Sequence, residues 1–83
     1  MAKDGHNLEN EMTKSEKIQA ARNIALNAAT QFGYIWRPAI IDGEAVAIMN
    51  TDDGVTVAFP IIDDMLALYQ IPKDETDGIE LLH

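Results

Sequence analysis

Residues 34–59 of this 83-residue chain read YIWRPAIIDGEAVAIMNTDDGVTVAF. Three segments of this stretch are rich in β-branched and aromatic residues, and turn-forming sequences separate them. The segments are Tyr34–Ile41, Glu44–Asn50 and Val55–Phe59. Asp42-Gly43 is typical of a type I′ hairpin turn, and Thr51–Gly54 is typical of a four-residue turn. The stretch therefore predicts a three-stranded antiparallel meander.

The turns also predict the register of the strands, and this register puts apolar residues on both faces of the sheet. It pairs Ala39 with Val46, Ile48 with Val57, and Val46 with Phe59. One face carries Ile35, Ala39, Ile41, Val46, Ile48, Val57 and Phe59, and the other carries Trp36, Pro38, Ile40, Ala45, Ala47, Met49, Thr56 and Ala58. A sheet with two apolar faces needs cover on both. Because proline has no N–H for a ladder, Pro38 favours an edge position for the first strand.

A helix is predicted immediately before the strands. Thr13 and Glu16 have the spacing of a capping box, apolar residues follow at helical spacing as far as Phe32, and Gly33 is suited to end the helix. The apolar face is built largely from alanine, so it can approach either the chain's own sheet or the same helix of a second copy. For a second copy, the predicted dimer interface consists of Ala21, Ala25, Ala28, Ile40, Ala47 and Met49.

The residues after Pro60 predict a second, short helix. Ile62, Met65, Leu66 and Tyr69 follow one another at i, i+3, i+4 and i+7, and Pro72 would end the helix. The predicted fold class is therefore α+β, a small single domain of order α-β-β-β-α. In it, the three-stranded antiparallel meander packs on the N-terminal amphipathic helix.

The predicted organisation has three parts: a flexible leader over residues 1–12, a single α+β domain over residues 13–72, and an acidic C-terminal tail over residues 73–83. The last part contains a small apolar group, Ile79, Leu81 and Leu82. Three alternatives follow for it: a free tail, a docking segment, or a final turn that covers an exposed edge.

Charge is distributed unevenly along the chain. The whole chain has 14 acidic and 6 basic residues and a net charge of −8. Residues 42–83 hold ten of those acids and a single base, Lys73. Such a surface repels nucleic acid and anionic membranes and attracts a basic protein. Solubility alone is the alternative explanation of the acidity.

The chain has no cysteine and no long apolar run, and the N-terminus does not resemble a secretory signal, so a cytoplasmic location is expected.

No residue pattern predicts catalysis, a metal site or a cofactor. His6 and His83 lie at the two ends of the chain, and Ser15 is the only serine and sits near the start of the predicted helix. The acid pairs Asp52-Asp53 and Asp63-Asp64 are explained by turn formation and helix capping. The chain lacks both glycine-rich phosphate-binding motifs. We therefore expect a protein that is not an enzyme.

Tyr34, Trp36 and Arg37 form an aromatic and basic cluster, which either fills the core beneath the helix or belongs to an interface. The predicted partner-binding residues are Trp36, Arg37, Asp42, Glu44, Asp52, Asp53, Asp63 and Asp64. They suggest an inhibitor, or a nucleic-acid mimic that occupies a basic nucleic-acid-handling protein. In size and charge the chain is similar to small acidic inhibitors of phages and mobile elements. The alternatives are a homodimeric scaffold or assembly subunit and, less favoured by so short a chain, a protein with a small-ligand pocket.

Overall fold

The computed structural model describes residues 13–82, and in this part of the chain one helix packs on a five-stranded antiparallel sheet. The elements are α1 (Lys14–Phe32), β1 (Arg37–Ile41), β2 (Glu44–Thr51), β3 (Gly54–Ile62), β4 (Met65–Pro72), a 3-10 helix (Lys73–Gly78) and β5 (Ile79–Leu81). The strands lie in the order β4-β3-β2-β1-β5. The α+β class is confirmed. The predicted leader over residues 1–12 lies outside the described residues.

Helix α1 begins and ends where the sequence predicts. The Glu16 amide donates to the Thr13 hydroxyl at 3.1 Å, and the Thr13 amide donates to the Glu16 carboxylate at 2.9 Å. These two bonds form the predicted capping box. At the other end, Gly33 has a φ of +77°, and its amide donates to the Ala29 carbonyl at 3.0 Å. The helix is therefore closed at both ends by local interactions.

The predicted meander is present with the predicted register. Asp42 and Gly43 have φ values of +53° and +81°, as a type I′ turn requires. Ala39 pairs with Val46, and Ile48 pairs with Val57. The third predicted pair, Val46 with Phe59, lies one position beyond the last paired residues of β2 and β3, which are Ala47 and Ala58.

The predicted second helix is wrong, because residues 65–72 form strand β4. A two-residue turn, Asp63-Asp64, follows an irregularity between Pro60 and Ile62 and returns the chain alongside β3. The spacing of apolar residues in this segment fits a helix, but an isolated helix of about ten residues is marginal in water. Pairing with β3 satisfies the main-chain groups of β4 that face β3.

Strand β1 does not lie at an edge, contrary to the prediction from Pro38. Leu82 donates its amide to the Pro38 carbonyl at 3.1 Å, beside β5. The N–H and C=O positions of one residue point to the same side of a strand, so the N–H that Pro38 lacks would point toward β5. The ladder between β1 and β2 loses no hydrogen bond. Three alternatives were open for residues 73–83; in the described part, residues 73–82, the segment covers an edge, but as strand β5 rather than as a final turn.

The link between β4 and β5 requires a strongly coiled sheet. In a flat sheet, strands β4 and β5 would be about 19 Å apart across the strands. The ends that the link joins, Pro72 and Ile79, would in addition be offset by about 24 Å along the strand direction. Seven residues span at most about 25 Å when fully extended, and a 3-10 helix rises only about 2 Å per residue. The diagonal of about 30 Å is out of reach for this link. Coiling therefore brings the two corners together.

Both faces of the coiled sheet are buried, as their apolar composition predicts. On the face toward α1 the buried residues are Ile24, Ala25, Ala28, Trp36, Ala47 and Ala58. On the opposite face they are Ala39, Val46, Ile48, Val55 and Val57, and Ile41, Phe59, Ile71 and Ile79 pack around them. Val57 is completely buried, although no second helix covers this face among the described residues. The coil of the sheet and its own side chains provide the cover.

Gly54 is the position at which β3 comes closest to the end of β4. It has a φ of +151°, which is accessible essentially only to glycine, and an added Cβ would overlap the Ile71 carbonyl oxygen.

We expect Gly54→Ala to lower the free energy of unfolding by about 2 kcal/mol or more, measured from the urea midpoint. Gly78→Ala is the control because open space surrounds that position, and its effect should be below about 0.5 kcal/mol. Equal midpoints for the two variants would contradict the close packing at Gly54.

Candidate functional site

The acidic residues singled out by the sequence lie in the turns of the meander. Asp42 and Glu44 flank the β1–β2 turn, and Asp63 and Asp64 form the β3–β4 turn. Alternate turns of a meander lie at the same end of the sheet, so these four residues share one end, which we call the four-acid end. All four are exposed. The two turns are separated by two strand spacings, about 10 Å.

The other acidic residues gather at the opposite end of the sheet. Asp52 and Asp53 form the β2–β3 turn, and the Asp53 carbonyl accepts a hydrogen bond from the Lys73 amide at 2.9 Å. This bond brings the first turn of the 3-10 helix, with Asp74 and Glu75, next to the β2–β3 turn. The structure thus divides the eight acids of these turns into two groups of four rather than one continuous surface.

Among residues 13–82, the carboxylates of both groups form no ion pair, although the Lys17 ammonium lies near Gly43 at the four-acid end. Within residues 13–82 one ion pair is present, between Lys14 Nζ and Glu80 Oε2 at 3.5 Å. Glu16 is engaged in the capping box. The remaining acids of this part of the chain are exposed and form no ion pair with another of the residues 13–82: Asp42, Glu44, Asp52, Asp53, Asp63, Asp64, Asp74, Glu75 and Asp77.

The four-acid end is held in place by the helix. Gln31, in the last turn of α1, donates from Nε2 to the Asp64 carbonyl at 2.6 Å. Lys14 and Lys17, in the first turn of α1, border a depression that also contains Gly43 and Glu80. The β3–β4 turn is therefore fixed by a side chain from the helix, and positive charge borders one flank of the four-acid end.

The aromatic and basic cluster is divided between the core and the surface. Trp36 is 7% exposed, donates from Nε1 to the Gly33 carbonyl at 2.7 Å, and lies with its ring centroid 6.1 Å from that of Phe32. Tyr34 is 74% exposed, and Arg37 is also exposed. Trp36 thus belongs to the core, which is one of the two alternatives for this cluster, and Arg37 remains available at the surface.

The residues predicted for a dimer interface lie mostly inside the chain. Ala21, Ala28 and Ala47 have no exposed surface, and Ala25 is 8% exposed. Ile40 and Met49 are half-buried. The small side chains of α1 are used for close contact with the sheet of the same chain, and a second copy could reach them only if α1 separated from the sheet.

An exposed apolar surface lies at the β3–β4 hairpin and was not singled out from the sequence. Its residues are Ile61, Ile62, Met65, Leu68 and Tyr69, which are between 41% and 60% exposed; we call them the hairpin patch. The sequence signal was present, because residues 65–72 contain no charged side chain. The prediction of a helix there placed three of these five residues, Ile62, Met65 and Tyr69, on a face toward the core.

A cleft of about 380 Å³ lies on the face opposite α1, between the strands and the 3-10 helix. Its lining is apolar where Ile48, Val55 and Ile79 contribute, and polar at Lys73 and Thr76. Among the described residues, no group of three or more His, Asp or Glu side chains is placed to hold a metal ion. No helix within residues 13–82 is both long enough and apolar enough to cross a membrane.

The internal position of Ala28 can be tested by enlarging it. Ala28→Leu adds volume to a filled contact between α1 and the sheet, so we expect the free energy of unfolding to fall by about 1–3 kcal/mol. The urea midpoint should shift equally at low and high protein concentration. Asn23→Leu, at an exposed position of the same helix, is the control and should change stability by less than about 0.5 kcal/mol. A shift that appears only at high concentration would instead place Ala28 between two copies.

Comparisons with protein-family models, with curated proteins and with solved structures gave no match for this chain.

Proposed function

We propose that this chain is a non-enzymatic protein-binding protein whose exposed carboxylates bind a basic surface of a partner protein. The observation that carries the proposal is the set of nine exposed acids in residues 13–82 that have no ion pair. Unpaired carboxylates can accept charge-assisted hydrogen bonds from lysine and arginine of another protein. They also raise the rate of encounter with a cationic partner at low salt.

The four-acid end is the proposed contact surface. Turn geometry accounts for Asp42 and Asp63, because both have positive φ, and aspartate tolerates that conformation better than most residues. Glu44 is the first residue of strand β2, where turn geometry gives no reason for an acid. Charge at this end therefore exceeds what the backbone requires. The closed turn and the bond from Gln31 to Asp64 fix these acids in advance, which lowers the entropic cost of binding.

The proposed partner is a nucleic-acid-handling protein with a basic groove. Carboxylates spread over about 10 Å can occupy several cationic side chains that otherwise contact phosphates. The chain would then act as an inhibitor or nucleic-acid mimic, and the same charge would keep it from binding nucleic acid or a membrane itself. The proposal assumes that the chain is cytoplasmic, where such partners act.

Two variants with equal net charge test this proposal. The first neutralises the four-acid end through Asp42→Asn, Glu44→Gln, Asp63→Asn and Asp64→Asn. The second neutralises the opposite end through Asp52→Asn, Asp53→Asn, Asp74→Asn and Glu75→Gln. Tagged wild type and both variants are used to capture proteins from nuclease-treated source-cell lysate, at about 0.05 M and about 0.5 M salt. Captured proteins are identified by mass spectrometry.

We expect the wild type to capture a basic nucleic-acid-binding protein at low salt only, and to displace a DNA or RNA probe from it. The first variant should bind that protein roughly tenfold more weakly or worse, whereas the second should stay close to the wild type. Equal loss in both variants would show that only total charge matters. Undiminished binding by the first variant, or binding that does not respond to salt, would contradict the proposal.

A further inference from the structure

The two edges of the sheet differ in length and in charge. Strand β5 has three residues, one of which is Glu80, and it ends the sheet on one side. Strand β4 ends the other side and has eight residues, MLALYQIP, none of them charged. Natural sheets usually shield a long edge with charge, because its free N–H and C=O groups otherwise pair with another strand. Strand β4 has no such shield along its length.

The hydrogen bonds at the end of the sheet show which main-chain groups of β4 have no partner strand among residues 13–82. Lys73 donates its amide to Asp53, so residue 73 points toward β3. Residues of an antiparallel strand alternate between the two sides, and every second residue back from Lys73 therefore also points toward β3. These residues are Ala67, Tyr69 and Ile71, whereas Leu66, Leu68 and Gln70 point their main-chain groups away from the sheet. Pro60 and Pro72 both occupy positions that donate nothing between β3 and β4, in agreement with this alternation.

The free groups of β4 are complementary to a second copy of themselves. If two β4 strands run antiparallel about a two-fold axis at Leu68, the Leu68 residues form a hydrogen-bonded pair, and Leu66 of each copy pairs with Gln70 of the other. This register uses all three outward-pointing residues of each strand. Pro72 has no N–H to donate to Asp64 of the other copy, but the Asp64 carbonyl already accepts a hydrogen bond from Gln31, and the Pro72 carbonyl lies opposite the amide of Asp64.

The charges at the two ends of β4 fit the same register. The two-fold axis at Leu68 brings Asp63 of one copy opposite Lys73 of the other, and this contact occurs twice. Lys73 is the only base in residues 42–83. Asp64 lies opposite Pro72, so the register sets no acid directly opposite an acid, although Asp53, Asp74 and Glu75 lie beside Lys73 and their repulsion of Asp63 and Asp64 opposes the attraction by Lys73. A register shifted by two residues would break the contact between Asp63 and Lys73.

Side chains of the hairpin patch would be buried by this pairing. Leu68 is 45% exposed on the face toward α1 and would lie opposite its own copy. On the other face, Met65 would lie opposite Ile71, and Tyr69 opposite Ala67. These pairs bring apolar side chains together across the strands.

We propose that β4 pairs with β4 of a second copy of this chain, antiparallel about a two-fold axis at Leu68, and that the two sheets join into one of ten strands. The chain would thus be a homodimer, as an assembly subunit requires. This proposal does not depend on the proposed basic partner, since it uses the opposite chemistry: main-chain bonds and apolar contacts along an uncharged strand. The dimer would carry two four-acid ends.

The test measures the mass of the full chain by light scattering over a range of protein concentration, at low and high salt. We expect a mass near twice 9.2 kDa. The fraction of dimer should stay the same or increase at high salt, because salt screens the repulsion between two acidic copies. Leu68→Lys sets two lysines against each other on the axis and should reduce dimer formation at least tenfold. Leu26→Lys is the control, because Leu26 is an exposed apolar residue on α1, away from β4, and it should leave the dimer intact.

A cysteine at the axis provides a second readout. The chain has no cysteine, so a disulfide between protein thiols of Leu68→Cys can form only between copies. Oxidised glutathione is the oxidant: one thiol forms a mixed disulfide with it, the second thiol displaces glutathione, and two reduced glutathione molecules leave. The Cα separation of a hydrogen-bonded pair, about 5.5 Å, lies in the range that a disulfide accepts. Leu68→Cys should give more covalent dimer than Leu26→Cys. Asp63→Lys or Lys73→Asp alone should weaken the dimer, and the two together should restore it.

A monomer at all concentrations up to about 100 μM would overturn the proposal, as would a dimer that Leu68→Lys leaves intact. Equal cross-linking of Leu68→Cys and Leu26→Cys would also overturn it. Binding of an extended peptide from another protein to a monomeric chain would assign the β4 edge to a different occupant. Only one of these variants, Asp63→Lys, changes an acid of the four-acid end. If the dimer proposal fails, the capture experiment therefore still tests the proposed basic partner independently.

Discussion

The 3-10 link between β4 and β5 is the constraint that determines the shape of the sheet. It joins two diagonal corners that a flat sheet would hold too far apart, so the five strands coil. The coil turns the face without a helix inward and buries Val46 and Val57. A chain of 83 residues has little material for a third layer on the face opposite α1. Its single sheet instead contributes to two hydrophobic clusters, one on each face.

Local chemistry made part of this fold predictable. Thr13 and Glu16 cap α1, and Asp42-Gly43 closes the first hairpin, through interactions among residues only a few positions apart. The same holds for the register of Ala39 with Val46, because a two-residue turn leaves one choice of pairing. Where a structure depends on neighbours in sequence, the residues themselves are sufficient evidence.

The errors and the open alternatives involve contacts between distant residues. Ile62, Met65, Leu66 and Tyr69 fit one face of a helix, and only the free edge of β3 favours a strand there. Strand β5 is three residues long and pairs with β1 about forty positions earlier, which no local pattern reveals. Trp36 lies in the core because its ring packs near Phe32 and its Nε1 donates to the Gly33 carbonyl. These residues are close in sequence, but the contacts form only because the chain turns at Gly33. The turn acids were identified from sequence, whereas their division between two ends followed from the topology.

Stability and the proposed binding are carried by different parts of the chain. The two clusters consist almost entirely of aliphatic residues and Trp36, and none of the nine unpaired acids contributes to them. Charge at the turns can therefore change without removing contacts from the core. Substitutions of the turn acids report on the proposed binding, and substitutions of the core residues report on stability. The uncharged strand β4 contributes to both clusters through Leu66 and Ile71, and it also presents Leu68 and Tyr69 at an exposed edge.

Strand β5 also has a consequence for the chain during synthesis. The hairpins from β1 to β4 can form as soon as residues 37–72 have left the ribosome, because each pairs neighbouring strands. Strand β1 receives its second partner only when residues 79–82 emerge. Until then the five-residue strand β1 is the edge of the sheet on that side, and Ala39 and Ile41 lack the cover that Ile79 and Leu81 later supply. The final few residues of the described chain thus determine how long the unfinished sheet is open to association with other nascent chains.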